Sequence, residues 1–137
     1  MKNGELMKLA LEAREKSYSP YSNYRVGAAL LGESGTVFTG CNVENAAYSP
    51  GICAERTAFV KAVSEGERNF RAIAIVGGPK EGMPETAPPC GVCRQVMMEF
   101  CSPDTFAIIL GTGPEDCRSY TLAELLPKGF GPGNLKK

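Results

Sequence analysis

Leu6, Leu9, Ala10 and Ala13 recur at helical spacing, while Glu5, Lys8, Glu12 and Lys16 fill the opposite positions. The pattern predicts an amphipathic helix near residues 3–17, with charge pairs along its solvated face. "YSPYSNY" follows and reads as a loop from its Pro and Ser content. "RVGAALL" and "TVFTGCN", separated by "GESG", predict a hairpin whose turn the glycines supply. After a second loop, "AAYSPG", helical spacing returns in "ICAERTAFVKAV" through Ala54, Ala58, Phe59, Ala62 and Val63, with an end near Gly66. "RAIAIVGG" is a continuous apolar run closed by Gly-Gly, the mark of a strand buried on both faces. The Pro- and Glu-rich loop "PKEGMPETAPP" leads to a third helix, from Cys90 to about Phe100, with Pro89 expected in its first turn. "TFAIILG" reads as a fourth strand, "CRSYTL" as a fifth and "TLAELLP" as a short terminal helix.

This order predicts an α/β layered domain with helices on both faces of a mixed sheet. Seven residues, Gly111 to Cys117, separate the last two strands, whereas a parallel crossover needs about a dozen or more. Those strands should therefore be antiparallel. The 137 residues contain no linker or repeat, so a single domain over 1–137 is expected. Formal net charge is zero, and no basic stripe offers itself to a nucleic acid. The first residues are charged throughout, unlike a signal peptide, and no run is long enough to span a bilayer. The expected location is the cytoplasm.

Six cysteines and no histidine change the picture. In a reducing compartment, clustered thiols serve as metal ligands or catalysts more often than as disulfides. Cys90-x-x-Cys93 could be plain packing, since cysteine is often buried as a small hydrophobe. A redox pair is a second reading, although such pairs favour an early strand end. A metal site is the third. Positions i and i+3 of a first helical turn can reach one ion, and catalytic zinc takes three protein ligands with a fourth position open. Cys53, also at a predicted helix start after Pro50-Gly51, is the natural third ligand. Cys41, Cys101 and Cys117 lack such a turn and read as packing residues. Two helix N-termini would offset the charge of three thiolates, and Arg56 could donate hydrogen bonds to sulfur. Glu55 alone would be an ordinary first-turn glutamate; beside the cysteines it is the one plausible proton carrier.

"CAE" and "PCGVC" together form the Cys-x-Glu … Pro-Cys-x-x-Cys signature established for zinc deaminases as a class. With "SYSPYSNYRVGAALL", "GCNVENAAYS", "CAERTAFVKAVSEG", "PCGVCRQVMMEF" and "ELLPKGFGP", the chain resembles the small homotetrameric cytidine deaminases along nearly its whole length. The resemblance implies a three-layer domain, a five-stranded mixed sheet between helices, with one zinc per subunit on Cys53, Cys90 and Cys93. It implies that Asn42 and Glu44 bind the ribose 3′-hydroxyl and that Ala54 belongs to the substrate pocket. Tyr24 stands where the family usually has a phenylalanine packing near the pyrimidine, and its hydroxyl needs a polar neighbour. Pro88 replaces a usual Ser or Thr but keeps the carbonyl that receives the substrate's amino group. Tyr48 and Phe130 match positions lent across subunit boundaries, so the active site would be complete only in a homotetramer.

The implied reaction is hydrolytic deamination of cytidine and 2′-deoxycytidine, a step of pyrimidine salvage, with Glu55 moving protons in both directions. A blasticidin-type aminohydrolase shares size and motifs, but "NVEN" favours a ribose. A non-enzymatic zinc-stabilised interaction domain would need a fourth protein ligand and would leave Glu55 dispensable. The antiparallel fifth strand and neutral charge speak against a polynucleotide substrate.

Overall fold

The computed structural model describes residues 1–135. Its elements run α1 (Asn3–Arg14), β1 (Gly27–Gly32), β2 (Val37–Cys41), α2 (Ala54–Ser64), β3 (Phe70–Val76), α3 (Gly91–Phe100), β4 (Ala107–Gly113), β5 (Asp116–Thr121), α4 (Leu122–Leu125) and α5 (Pro132–Leu135). The five strands form one sheet in the order β2-β1-β3-β4-β5. β3 and β4 are parallel and every other pairing is antiparallel, including β4 with β5 as expected. β4 and β5 extend further into their connection than the sequence runs indicated, leaving only Pro114 and Glu115 between them.

Alternating residues of the buried strands face two cores. Ala29, Leu31, Ala72, Ala74, Val76 and Ile109 meet Leu6, Met7 and Ala10 of α1 on one face. Ala28, Leu30, Ile73, Ile75, Ile108 and Leu110 meet α2, α3 and Leu122 on the other. This is why β3 carries no polar alternation: both of its faces are covered. Phe59 of α2 anchors the second core, with its ring centroid 5.1 Å from that of Phe70 and 6.1 Å from those of Phe100 and Phe106.

Three details depart from the sequence pattern. The first helix ends at Arg14, and its inward face includes Met7 and Arg14 as well as the periodic apolar residues. Pro89 lies one residue before the N-cap of α3, so Cys90 rather than proline opens that helix. The single turn α5 is an addition.

Strand register determines where the site can form. Gly27 at the start of β1 pairs with Cys41 at the end of β2 and with Val76 at the end of β3. The segments around Tyr24–Val26, Asn42–Glu44 and Gly77 onward therefore emerge side by side at one end of the sheet. α2 is drawn tightly against that end. An added Cβ at Gly40 would stand 2.5 Å from the Ala54 carbonyl oxygen and 2.6 Å from the Ala58 nitrogen, backbone atoms that cannot step aside. Replacing Gly40 by Ala is expected to lower stability by about 1–3 kcal/mol through forced overpacking. Urea unfolding monitored by circular dichroism reads this directly, and an unchanged midpoint would contradict the close approach.

Candidate active site

α2 and α3 begin in the same way. Cys53 and Cys90 are their N-cap residues, both with extended backbone, and neither side chain caps its own helix. Each thiol is thus free to turn away from its helix. Cys93 lies one turn into α3 and is buried. The Sγ atoms of Cys53, Cys90 and Cys93 lie within 4.8 Å of one another, and among the described residues no further Cys, Asp or Glu joins this group. The Cys53–Cys90 and Cys90–Cys93 sulfur separations are 3.8 and 3.5 Å. Cys41, Cys101 and Cys117 stand apart from it. Cys101 is buried in the second core, where burial pushes its thiol pKa up, and Cys117 packs beside the first.

The charge of the cluster is distributed unevenly. The neighbouring Cys93 thiol brings Cys53 down to about 5, against burial and with help from Arg56 and Cys90. Cys93, beside that sulfur and itself buried, shifts the opposite way. Arg56 Nη2 donates to Cys53 Sγ at 3.4 Å, while its buried Nε has no partner among the described residues. Thr57 Oγ1 donates to the Cys53 carbonyl at 3.1 Å and tightens the first turn of α2. At α3, Arg94 Nε donates to the Pro89 carbonyl at 2.8 Å and Nη1 to the Leu125 carbonyl, fixing the chain just before Cys90.

Glu55, two residues after Cys53, is only 4 % exposed. Burial pushes its carboxyl up to about 7, against which its own backbone N–H stabilises the carboxylate; the Cys53 thiolate adds to the rise. A carboxyl poised near neutrality can both take and return a proton.

Cys53, Cys90, Glu55 and Arg56 line a cavity of about 460 Å³, while Cys93 is buried behind its wall. Tyr24, Asn42, Glu44, Cys53, Ala54, Glu55, Arg56, Pro88 and Cys90, all singled out in the sequence, border it. Val26, Val43, Gly51, Ile52, Thr86 and Ala87 also line it and were missed. Val43 and Ile52 exchange two backbone hydrogen bonds of 3.0 Å, a short ladder that folds Asn42–Glu44 back toward Cys53. The Asn42 amide is woven into the framework: Oδ1 accepts from Val26 N at 2.9 Å and from Ser17 Oγ, and Nδ2 donates to the Tyr24 carbonyl at 2.9 Å. One Nδ2 hydrogen is left for a ligand. Glu44 Oε1 accepts from the Tyr21 and Ser22 amides at 2.9 and 3.1 Å, and Oε2 accepts from Ser22 Oγ. These bonds fix its carboxylate while leaving an acceptor position on Oε2. The Tyr24 hydroxyl finds its polar neighbour in Glu85 Oε1, at 3.3 Å.

Tyr48 and Phe130 do not reach the cavity within this chain. Tyr48 is 88 % exposed and borders a shallower hollow on the other side of Glu44. Phe130 is 56 % exposed, with its carbonyl accepting from Gln95 Nε2 at 2.8 Å.

Three soft donors without a fourth protein ligand, beside a buried carboxyl that can carry a proton, are the components of a metal-dependent hydrolase. The family described as "Cytidine and deoxycytidylate deaminase zinc-binding region" matches residues 1–109, and the chain belongs to it. It is 50% identical over 124 residues to the cytidine deaminase of Sporosarcina psychrophila, covering 90% of this chain and 88% of that protein. It is 50% identical over 125 residues to that of Halalkalibacterium halodurans, covering 91% of each. The crystal structure of cytidine deaminase from Burkholderia pseudomallei superposes with a TM-score of 0.85 at 46% identity, over 95% of this chain and all of that one.

The donor chemistry fits the zinc that the family description names. Sulfur ligands favour zinc over hard cations, and both the helix starts and Arg56 offset thiolate charge. Removing the guanidinium with Arg56→Ala is expected to weaken zinc affinity about 10–100-fold, the usual effect of losing a partner of a ligand. Competition titration against a zinc chelator measures this. Unaltered affinity would mean that the helix N-termini alone balance the sulfur charge.

Proposed function

We propose that the protein is a cytidine deaminase, hydrolysing cytidine and 2′-deoxycytidine to the corresponding uridines and ammonia, with residues 1–137 acting as one domain. The observation that carries this reading is the buried Glu55 carboxyl beside three convergent cysteine sulfurs, with Glu55, Cys53 and Cys90 lining one cavity and Cys93 buried behind them. The names of relatives that are half identical over most of the chain support the substrate class.

Cys53, Cys90 and Cys93 would hold one zinc ion per subunit. When bound, zinc supplies Lewis acidity and lowers the pKa of water. Glu55 accepts the proton of the attacking water and delivers it to ring N3 of the base. As the C4–N bond breaks, Glu55 takes the remaining proton of the hydroxyl added at C4 and gives it to the departing amine. Water and cytidine are thus converted to uridine and ammonia, with Glu55 returned to its starting state. The burial of Glu55 beside the sulfurs supports its serving as the proton carrier in a chain without histidine.

The remaining residues hold the nucleoside. The free Nδ2 hydrogen of Asn42 donates to the 3′-hydroxyl, and Glu44 accepts from it. Such a polar pair rejects a ligand lacking the hydroxyl, because the pair would be left unsatisfied. The carbonyl of Pro88 accepts from the substrate's exocyclic amine, Ala54 contacts the base, and Tyr24 packs on it. The exposure of Tyr48 and Phe130 fits an assembly in which neighbouring subunits, four in a homotetramer, complete one another's sites.

Glu55→Gln is expected to keep zinc and lose at least about 10²–10⁴-fold in turnover, the contribution of a positioned proton carrier. The ultraviolet spectrum of cytidine mixed with wild type and variant reads the reaction. Wild-type conversion to the uridine spectrum, absent with the variant, is the predicted result; comparable conversion by both would remove Glu55 from the chemistry. Cys53→Ala is expected to abolish stoichiometric zinc, and full metal content in that variant would exclude Cys53 as a ligand.

A further inference from the structure

Arg14 is a cation in an apolar core. It closes the inward face of α1, is 5 % exposed, and among the described residues has no buried carboxylate paired with it. Its nearest carboxylate, Glu15, lies 3.9 Å away, is exposed, and is held at 2.8 Å by Arg25. An apolar side chain of similar length would fill the same space without the cost of burying charge. A guanidinium adds several donors in a fixed planar fork.

That fork reaches the loop following β3. Nε donates to the Gly77 carbonyl at 3.0 Å and Nη2 to the Pro79 carbonyl at 2.9 Å. Gly78 lies between these two carbonyls with φ +130°, and a Cβ there would stand 2.6 Å from the Met83 carbonyl oxygen and 2.9 Å from Arg14 Nη2. The chain is therefore wrapped around the guanidinium, in a conformation that favours glycine.

The wrapped segment also supports the cavity wall. At Gly77, the Ala87 Cβ and the Tyr24 hydroxyl lie 2.7 and 2.8 Å from the place a Cβ would occupy. Gly77 and Glu85 exchange two backbone hydrogen bonds of 2.9 Å, which set the approach to Thr86, Ala87 and Pro88. The Arg25 amide donates to the Gly78 carbonyl at 2.8 Å and the Lys80 amide to the Asn23 carbonyl at 2.7 Å, joining the loop to the Tyr24 segment. Tyr24 and the Thr86–Pro88 wall thus share one support, and Arg14 holds it from beneath.

We propose that Arg14 is a positioning residue for substrate binding, setting the separation between Tyr24 and the Ala87–Pro88 wall by clamping the Gly77 and Pro79 carbonyls. The proposal rests on the reading that this cavity binds the nucleoside base. Arg14 touches neither Glu55 nor a metal ligand through any hydrogen bond in the structure, so its effect falls on binding rather than on proton transfer.

The test uses full-length, zinc-loaded wild type, Arg14→Lys and Gly78→Ala. Lysine keeps the charge but not the planar fork that spans both carbonyls; Gly78→Ala disturbs the same clamp from the loop side. Each variant is expected to raise KM for cytidine about tenfold, as losing one charge-assisted hydrogen bond would, with kcat within about threefold of wild type. Zinc content should stay at the wild-type value, and amide hydrogen exchange should quicken in residues 77–89 but not in β3 or α3. The double variant should raise KM no further than either single one. Arg14→Lys with unchanged KM and loop exchange overturns the proposal. So does lowered stability or zinc content with KM of the folded fraction unchanged, since Arg14 would then be only structural. Should Arg14→Lys not fold, Gly78→Ala decides by the same KM and exchange criteria. Absence of cytidine turnover in the wild type would overturn the substrate reading itself, while loop exchange would still report separately on the clamp.

Discussion

The convergence of three cysteine sulfurs at the starts of two helices is the constraint around which this protein is organised. Thiolates within 4.8 Å of one another repel, and several of their neighbours reduce that repulsion. The N-terminal partial charges of α2 and α3 point at the cluster, and Arg56 reaches Cys53 from the next turn. The Cys53 thiol is shifted down and the Cys93 thiol up, so negative charge is favoured on Cys53, where Arg56 donates to it. A divalent cation offsets the same charge more completely, which is why the cluster fits a metal better than a redox pair. The fold supplies the geometry: the Gly40 approach fixes α2, and Arg94 fixes the turn before α3.

The part of the cavity around Asn42 and Glu44 follows a different rule. Asn42 and Glu44 are held by backbone and side-chain hydrogen bonds before any ligand arrives, each with one position left over. Preorganised polar groups lose little freedom on binding and discriminate sharply when a partner is missing. The apolar lining from Val26, Val43, Ile52 and Ala87 gives the rest of the cavity a shape without further polar demands.

Much of this was legible in the sequence because periodicity and cysteine spacing carry local physics. Continuous apolar runs marked β3 and β4, and the short connection fixed β5 as antiparallel. Cys53, Cys90 and Cys93 were recognisable because each lies at a helix start. Arg14 was not recognised, although it continues the inward stripe one heptad after Met7. Its charge argued for solvent, and only the loop carbonyls it meets, more than sixty residues later, account for its burial. Thr86 and Ala87 escaped for a related reason: a Pro-rich loop shows no period, and its path is set by partners distant in sequence. The exposure of Tyr48 and Phe130 was equally invisible to pattern, since aromatic residues in loops carry no period that would say which way they face.

The central claim is that a three-thiol zinc site drives deamination in the adjoining cavity. Its most direct test is to strip the metal with a chelator and follow cytidine conversion by ultraviolet absorbance as zinc is returned in known amounts. The account predicts that activity disappears on stripping, returns in proportion to added zinc and saturates at one ion per chain. Full activity in verified metal-free protein, or no activity at full zinc occupancy, would contradict it.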